Sequence, residues 1–278
     1  MKLSEMRELL TQRGIQLSKS LGQNFLHDGN QLRRIVEAAE LTRKDKVLEI
    51  GPGLGPLTEM LLEKAGEVLA IEKDARLMEV LRERFAPDQS SALQLIHGDA
   101  LDFLRSEPRD WSEWKLVANL PYSVASPILV DLAQSPKRPE RMVVTLQLEV
   151  AQRLMAGAGD KDYGVLTLLV QLDYEPRGWF RIPATCFFPS PDVDSACVAL
   201  VRRGQPLLAD EHRATFVKIV KRSFSQRRKM MFKLLKEDWP EHRLERAFVS
   251  NQLSPQIRAE ALNLKRFVQL TEWLSTFP

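Results

Sequence analysis

Val47-Leu48-Glu49-Ile50-Gly51-Pro52-Gly53-Leu54-Gly55 is the stretch that decides the fold. A short apolar run that ends in glycines reads as a buried strand. Leu54, Leu57, Leu61 and Leu62 then recur at helical spacing up to Lys64. Glycines between a strand and a helix let the backbone approach a ligand closely and seat it at the helix N-terminus. A dinucleotide-binding loop would place its third glycine at position 56, which here is Pro56. A tight strand-to-helix turn with no ligand is the plainer reading of this loop taken alone.

Working outward, strands are predicted over 68–71, 93–96, 116–118 and 142–148. A charged amphipathic helix over 74–85 is capped by Asp74, and a short helix covers 126–133. Strands alternating with helices predict an α/β fold, a Rossmann-like parallel sheet with helices on both faces. Residues 163–172 fit a buried helix or a strand equally. Strands are expected over 179–182 and 196–201, on either side of the proline-rich Phe187-Phe188-Pro189-Ser190-Pro191. Beyond Gly204 the texture is helical, with helices expected over 211–223, 228–236, 241–249 and 254–261 and a last one from Lys265. The expected division is therefore 1–203, a Rossmann-like domain, and 204–278, a small all-α domain; residues 1–20 read as a flexible basic N-terminus.

The G-x-G-x-G spacing of Gly51, Gly53 and Gly55 resembles that of Rossmann-like methyltransferases, which cradle an amino-acid tail and not a pyrophosphate. Glu72 ends the second strand, where an acidic side chain can accept from both hydroxyls of a ribose. Asp99 follows the third strand and is placed to accept from an adenine amino group. Either carboxylate alone reads equally well as a surface cap. Both at the C-terminal edges of adjacent strands point to a ligand, since open α/β sheets bind there. The cofactor implied is S-adenosylmethionine.

Asn119-Leu120-Pro121-Tyr122 follows the fourth strand. It resembles the [D/N]-P-P-[Y/F] motif of methyltransferases that act on planar amino nitrogens. The lone pair of such a nitrogen is delocalised and attacks poorly. The Asn119 side-chain oxygen and a backbone carbonyl, expected to be that of Leu120, can each accept one N–H and localise the lone pair. Pro121 fixes the turn, and Tyr122 offers a face for a stacked base. An aromatic from the 187–191 corner would supply the other wall, and Phe187 is preferred to Phe188; a core position for both is the lesser alternative. Stacking is worth ~1–3 kcal/mol per base and extrusion costs a few, so an unpaired target is favoured.

Five motifs in order carry a wider resemblance. They are Leu21-Gly22-Gln23-Asn24-Phe25-Leu26, the G-P-G-L-G-x-L-T loop, N-L-P-Y, the F-x-P-x-P-x-V-D-S-A segment from Phe187, and Ser223-Phe224-Ser225-Gln226-Arg227-Arg228-Lys229. Together, from Ser18 to Phe267, they are similar to the ribosomal RNA adenine N6,N6-dimethyltransferase family, most of all its bacterial small-subunit branch. The resemblance implies dimethylation of two adjacent adenines in a hairpin loop near the 3′ end of small-subunit RNA. It also implies cofactor contacts from Asn24, Leu26, Gly51, Glu72, Asp99 and Asn119. Two departures stand out: Ser123 follows the tyrosine where the family often has Asn, and Lys73 follows the ribose-binding glutamate where an apolar residue is usual.

Composition agrees with that class. The chain of 278 residues is 44% hydrophobic and 28% charged, as a soluble globular protein is. No run approaches the ~18 apolar residues of a membrane span, and residues 1–20 lack the apolar core of a secretory signal. A cytoplasmic monomer is expected. Cys186, Cys197 and the four scattered histidines suggest neither a disulfide framework nor a metal site. Residues 204–278 hold 14 Lys/Arg and 8 Asp/Glu, whereas the first 203 hold 26 and 29. A basic end on a mildly acidic body suggests a polyanion contact; a solvated helical face is the other reading. Lys221, Arg222, Gln226, Arg227, Arg228 and Lys229 are the expected RNA contacts, in a cluster opening a helix. Two alternatives remain at this level: a large-subunit RNA adenine methyltransferase of the antibiotic-resistance type, and a non-catalytic ribosome-assembly factor. The latter would be expected to lose Glu72 or Asn119.

Overall fold

The computed structural model describes residues 1–17, 22–86, 92–106, 109–226 and 228–276. In chain order the elements are α1 (Leu3–Gln12), β1 (Phe25–Leu26), α2 (Gly29–Ala38), β2 (Lys46–Ile50), α3 (Pro56–Lys64), β3 (Glu67–Glu72) and α4 (Ala75–Arg84). Then come β4 (Leu93–His97), α5 (Ala100–Ser106), β5 (Trp114–Asn119), α6 (Ala125–Gln134), β6 (Arg141–Gln147), α7 (Leu148–Met155) and α8 (Val165–Gln171). The chain continues through β7 (Tyr174–Ile182), β8 (Phe187–Phe188), β9 (Ser195–Arg202), α9 (Arg213–Ser223), α10 (Met231–Leu235), α11 (Glu241–Ser250) and α12 (Leu264–Thr276).

Seven strands form one sheet in the order β4-β3-β2-β5-β6-β9-β7. β2 pairs in parallel with β3 and β5, β3 with β4, and β5 with β6; β9 runs antiparallel to β6. The Rossmann-like expectation holds, with one antiparallel strand added. The inner strands are buried on both faces, which is why β2, β3, β5 and β6 read as near-continuous apolar runs and not as alternating ones. On one face α2 and α3 pack Leu32, Ile35, Val36, Leu57 and Leu61 against Val47, Val68, Val117 and Val143.

The chain steps outward from β2 through β3 to β4, then returns to the other side of β2 as β5. That reversal opens a crevice at the C-terminal ends of β2 and β5, where open α/β sheets bind ligands. A separate antiparallel pair, β1 with β8, sets Phe25 opposite Phe188 and Leu26 opposite Phe187.

Three expectations change. The N-terminus is not a loose tail: α1 buries Met6 and Leu10 in a cluster with Ile15, Phe25, Leu54, Leu77 and Val80. Its two buried residues stand four apart, one helical turn, so a single face docks. Charges on the remaining faces gave residues 1–17 the look of a solvated segment; residues 18–20 lie outside the described residues. The ambiguous segment 163–172 is helical, as α8. The stretch 254–261 is not an α-helix, and only Ala259–Ala261 forms a 3-10 turn.

The chain divides into two compact units. One comprises Met1–Ala151 and Pro176–Arg202, and the other comprises Gln152–Glu175 and Arg203–Pro278. The division after residue 203 therefore misses 152–175, which folds with the helical C-terminus. Its ties are specific. Buried Asp173 takes a bidentate pair from Arg213 at 2.6 and 2.7 Å, and the Tyr163 hydroxyl donates to the Leu262 carbonyl at 2.9 Å. Contacts of such long range leave no local pattern in sequence. Within this unit Phe224 packs between Tyr163 and Phe267.

Candidate active site

The crevice, with a cavity volume of about 120 Å³, lies between the glycine loop and the strand ends. It is lined by Gly22–Phe25, Gly51, Gly53, Glu72, Lys73, Asp99 and the run Asn119–Val124, with Ile50, Ile71, Leu77 and Leu101 supplying apolar floor. Small-molecule sites have this mixture of apolar walls and few polar groups.

The glycine loop is held open by backbone geometry. Gly53 has φ +61°, and a Cβ there would lie 2.7 Å from the Phe25 ring. No other residue fits without moving that wall. Gly51 faces Pro121, which brings the loop after β2 against the turn after β5. Gly55 stands at the N-cap of α3 and does not line the crevice. Its part is to make the turn.

Glu72 is 6% exposed at the end of β3. One carboxylate oxygen accepts from Gly53 N at 3.0 Å and the other from Asp74 N at 2.9 Å. Burial raises its pKa against those two bonds. Each oxygen keeps a further lone pair, so the group both holds the loop and stays an acceptor. Asp74, capping α4 as predicted, is held at about 2 by the Arg76 guanidinium. Asp99 accepts from Leu101 N at 2.8 Å, and its other oxygen pairs with Lys73 Nζ at 2.8 Å. Lys73 lowers the Asp99 pKa. The family departure at position 73 therefore bears directly on this carboxylate.

Asn119 ends β5. Its Nδ2 donates to the Asn24 carbonyl at 3.0 Å, while Oδ1 is buried with no hydrogen-bond partner. A buried orphan acceptor costs ~1–3 kcal/mol, and this one lies in the wall of the crevice. The backbone after it is pinned: Leu120 N donates to Thr145 O, and Val124 N to Pro121 O, closing a turn. The Tyr122 hydroxyl and Ser195 Oγ are 2.6 Å apart, and burial raises the tyrosine pKa. That link fastens the Asn119–Tyr122 turn to Ser195 at the start of β9. No spacing argument could have supplied it.

Besides Gly55, two expected residues do not reach the crevice. Leu26 is 2% exposed and Phe187 is 3% exposed, facing each other across the β1–β8 pair within the α2–α3 core. Phe187 thus has no free ring face, contrary to the preference given it above. Phe188 is the half-buried member, with the Arg7 guanidinium 4.9 Å from its ring centre, but it does not line the crevice either.

In the helical unit the basic cluster is only partly available. Arg222 is ion-paired to both Asp238 and Glu237, so its head group is committed. Lys221, Gln226, Arg228 and Lys229 are exposed, and Arg227 lies outside the described residues. Lys221 and Arg222 lie in the last turn of α9, and Gln226, Arg228 and Lys229 lie in the connection before α10, which begins at Met231, so the cluster does not open a helix.

A Rossmann-like sheet with its crevice at the switch point, a glycine loop after the first inner strand and an N-L-P-Y turn after the fourth define a methyltransferase. Comparison with known proteins narrows the class. The model of the ribosomal RNA adenine dimethylase family matches residues 14–276, and the chain belongs to that family. It is 39% identical over 279 residues to ribosomal RNA small subunit methyltransferase A of Geobacillus kaustophilus, covering 97% of this chain and 94% of that one. To the protein of the same name from Leuconostoc mesenteroides it is 41% identical, over 94% of this chain and 91% of the other. Among solved structures, a dimethyladenosine transferase from Plasmodium falciparum superposes with a TM-score of 0.74 at 26% identity, covering 88% of this chain and 95% of that one. The 23S rRNA methyltransferase ErmE follows at 0.68 and 29%, covering 90% and 99%.

Proposed function

We propose that this chain transfers methyl groups from S-adenosylmethionine to N6 of adenines in small-subunit ribosomal RNA, two to each of two adjacent adenines in a loop near the 3′ end. The observation that carries the reading is the buried, unpartnered Asn119 Oδ1 in the crevice wall. The Asn24 carbonyl holds the Asn119 amide by its nitrogen and leaves the oxygen as the acceptor. Oδ1 takes one N6–H, and the carbonyl of Leu120, whose own N–H donates to Thr145 O, takes the other. Drawing both hydrogens aside localises the nitrogen lone pair.

The residues present suit the cofactor. The glycine loop leaves room for an amino-acid tail, Glu72 keeps lone pairs for ribose hydroxyls, and Asp99 can accept from an adenine amino group. When bound, S-adenosylmethionine supplies a methyl already activated by its sulfonium, so the protein needs no metal and no strong base. Tyr122, tethered by Ser195, gives the base a fixed surface to stack on.

The exposed cations Lys221, Arg228 and Lys229 supply phosphate contacts in this reading, and the protein acts as a cytoplasmic monomer. No helix among the described residues is long and apolar enough to cross a membrane. The test is incubation with labelled cofactor and under-methylated small subunits or naked RNA, followed by mass spectrometry of the nucleosides. N6,N6-dimethyladenosine is expected; its absence from every substrate overturns the proposal.

A further inference from the structure

Beneath the glycine loop lies a second, much smaller void of about 20 Å³. It is lined by Phe25, Leu26, Leu32, Glu49, Gly51, Pro52, Pro56, Leu57 and Asn119. It shares Phe25, Gly51 and Asn119 with the crevice, so one wall separates the two. Glu49, on β2, is 1% exposed, and its Oε2 has no hydrogen-bond partner. Thr58 Oγ1, fully buried on α3, makes no close hydrogen bond but stands near enough to Glu49 to favour its ionised form. Every other residue lining the void is non-ionisable, and the one further charge acting on Glu49 is Glu72 on β3. Burial among apolar walls is the largest influence and opposes ionisation, the neighbouring Thr58 hydroxyl partly offsets it by favouring the carboxylate, and the like charge of Glu72 opposes ionisation again.

We propose that Glu49 carries a proton in the free protein and releases it when a cationic cofactor fills the crevice, so that the site holds S-adenosylmethionine more tightly than the uncharged-sulfur product. The proposal rests on the cofactor reading above. Burial drives the Glu49 pKa up to about 8, so near neutrality the free protein holds the acid form. Glu49 stands two residues before Gly51, which itself lines the crevice. As an order of magnitude, a unit positive charge ~8 Å from a carboxylate at an effective dielectric near 20 favours the ionised form ~30-fold.

The balance is simple. On loading, the Glu49 carboxylic acid loses H⁺ to solvent. On transfer, the sulfur–methyl bond breaks, the N6–methyl bond forms and the N6 proton leaves to solvent. The sulfur is then neutral, and Glu49 regains a proton from solvent. Dimethylation of one adenine takes two loadings of the crevice, so weakened retention of spent cofactor serves the reaction directly.

The test is isothermal titration of the full chain with S-adenosylmethionine and with S-adenosylhomocysteine from pH 6 to 8.5, repeated in buffers of different ionisation enthalpy. At pH 7 the wild type should release about two-thirds of a proton more with the methionine form. The ratio of the two dissociation constants should move about 20-fold across the range in favour of S-adenosylmethionine at high pH. Contributions from Glu72 and from the cofactor's tail, common to both ligands, largely cancel in that ratio. Glu49→Gln should abolish the excess release and flatten the ratio, with its binding of S-adenosylhomocysteine reporting that the crevice is intact. A wild-type ratio that does not move with pH overturns the inference while leaving the cofactor reading standing, as does a Glu49→Gln protein that keeps the wild-type pH dependence. Failure of the wild type to bind either ligand removes the cofactor reading and the inference with it.

Discussion

Glu72→Gln is the substitution on which the geometry makes its sharpest demand. By shape it is conservative, and a carboxylate serving only ribose hydroxyls would tolerate it with a modest loss. Here both oxygens already accept from backbone N–H groups, those of Gly53 and Asp74. An amide offers one oxygen and one NH₂, so one backbone donor must face another donor. One charge-assisted bond of ~1.5–3 kcal/mol is lost, and the surviving bond becomes a neutral one worth ~0.5–1.5. Removing a buried charge returns part of this, because burial disfavours the carboxylate in the first place. The net expectation is about 1–2 kcal/mol of lost stability, read as a lower urea midpoint. Cofactor affinity should fall further than the missing acceptor alone requires. Loss of a charged acceptor accounts for roughly 10- to 100-fold, and displacement of Gly53, whose position is fixed by Phe25, adds to it. Calorimetry with S-adenosylmethionine measures the second effect. Glu72→Ala should be worse on both counts, since it leaves two buried donors unpaired. Binding by Glu72→Gln within threefold of wild type, at an unchanged urea midpoint, would refute the reasoning.

Asn119→Ala should lower the methyl-transfer rate by ~10²–10³ while RNA binding in a gel-shift assay stays at the wild-type level; unchanged transfer would remove Oδ1 from the mechanism. Gly53→Ala, forced to a positive φ and against Phe25, should weaken cofactor binding at least ~10-fold, since the left-handed conformation alone costs ~1–2 kcal/mol and the wall must also move. Replacing Lys221, Arg228 and Lys229 by alanine should lower the slope of log affinity against log salt by about 2, whereas Arg222→Ala, its head group engaged by Asp238 and Glu237, should leave that slope unchanged. Free of cofactor, the protein should lose stability as pH rises. Glu49 has a raised folded-state pKa, so its stabilising contribution is complete below its unfolded value of 4.5 and disappears as pH rises through about 8. Urea midpoints of wild type should drop between pH 5 and 8 more steeply than those of Glu49→Gln, and equal slopes would contradict a protonated Glu49.

The legible part of the fold was the part written in short-range pattern. β2, β3, β5 and β6 are apolar runs bounded by turn residues because both sheet faces are covered, and each was readable within a residue or two. The helix of Asp74 was readable from its cap. What escaped was decided by distant partners. α1 carries charge on most of its surface, and only docking against Phe25 and Leu77 reveals its buried stripe. The segment 152–175 looks like a continuation of the sheet domain until Asp173 meets Arg213 and Tyr163 meets Leu262. The 254–261 stretch has helical composition, yet it makes only a turn at 254–257 and a 3-10 turn at Ala259–Ala261.

The site divides along the same line. Motif positions name residue types, and a type is enough where the backbone itself does the work, as at Gly51 and Gly53, or where one atom is the obvious acceptor, as at Asn119. It is not enough where two neighbours are chemically alike. Phe187 and Phe188 differ by one position in a strand, and alternation sends one to the core and the other outward; the pairing of β1 with β8 settles which, and it chose against Phe187. The same holds for charge. Arg222 and Lys221 are equally basic in sequence, but one helical position places Arg222 over Asp238, leaving Lys221 exposed. Asp99 reads as a free acceptor until Lys73 is found on it. And Glu49, one residue inside an ordinary apolar strand, reads as a strand residue of no consequence. Only the fold shows that it is a buried acid with an unpartnered oxygen, one wall away from the place where a positive charge is expected to arrive and depart.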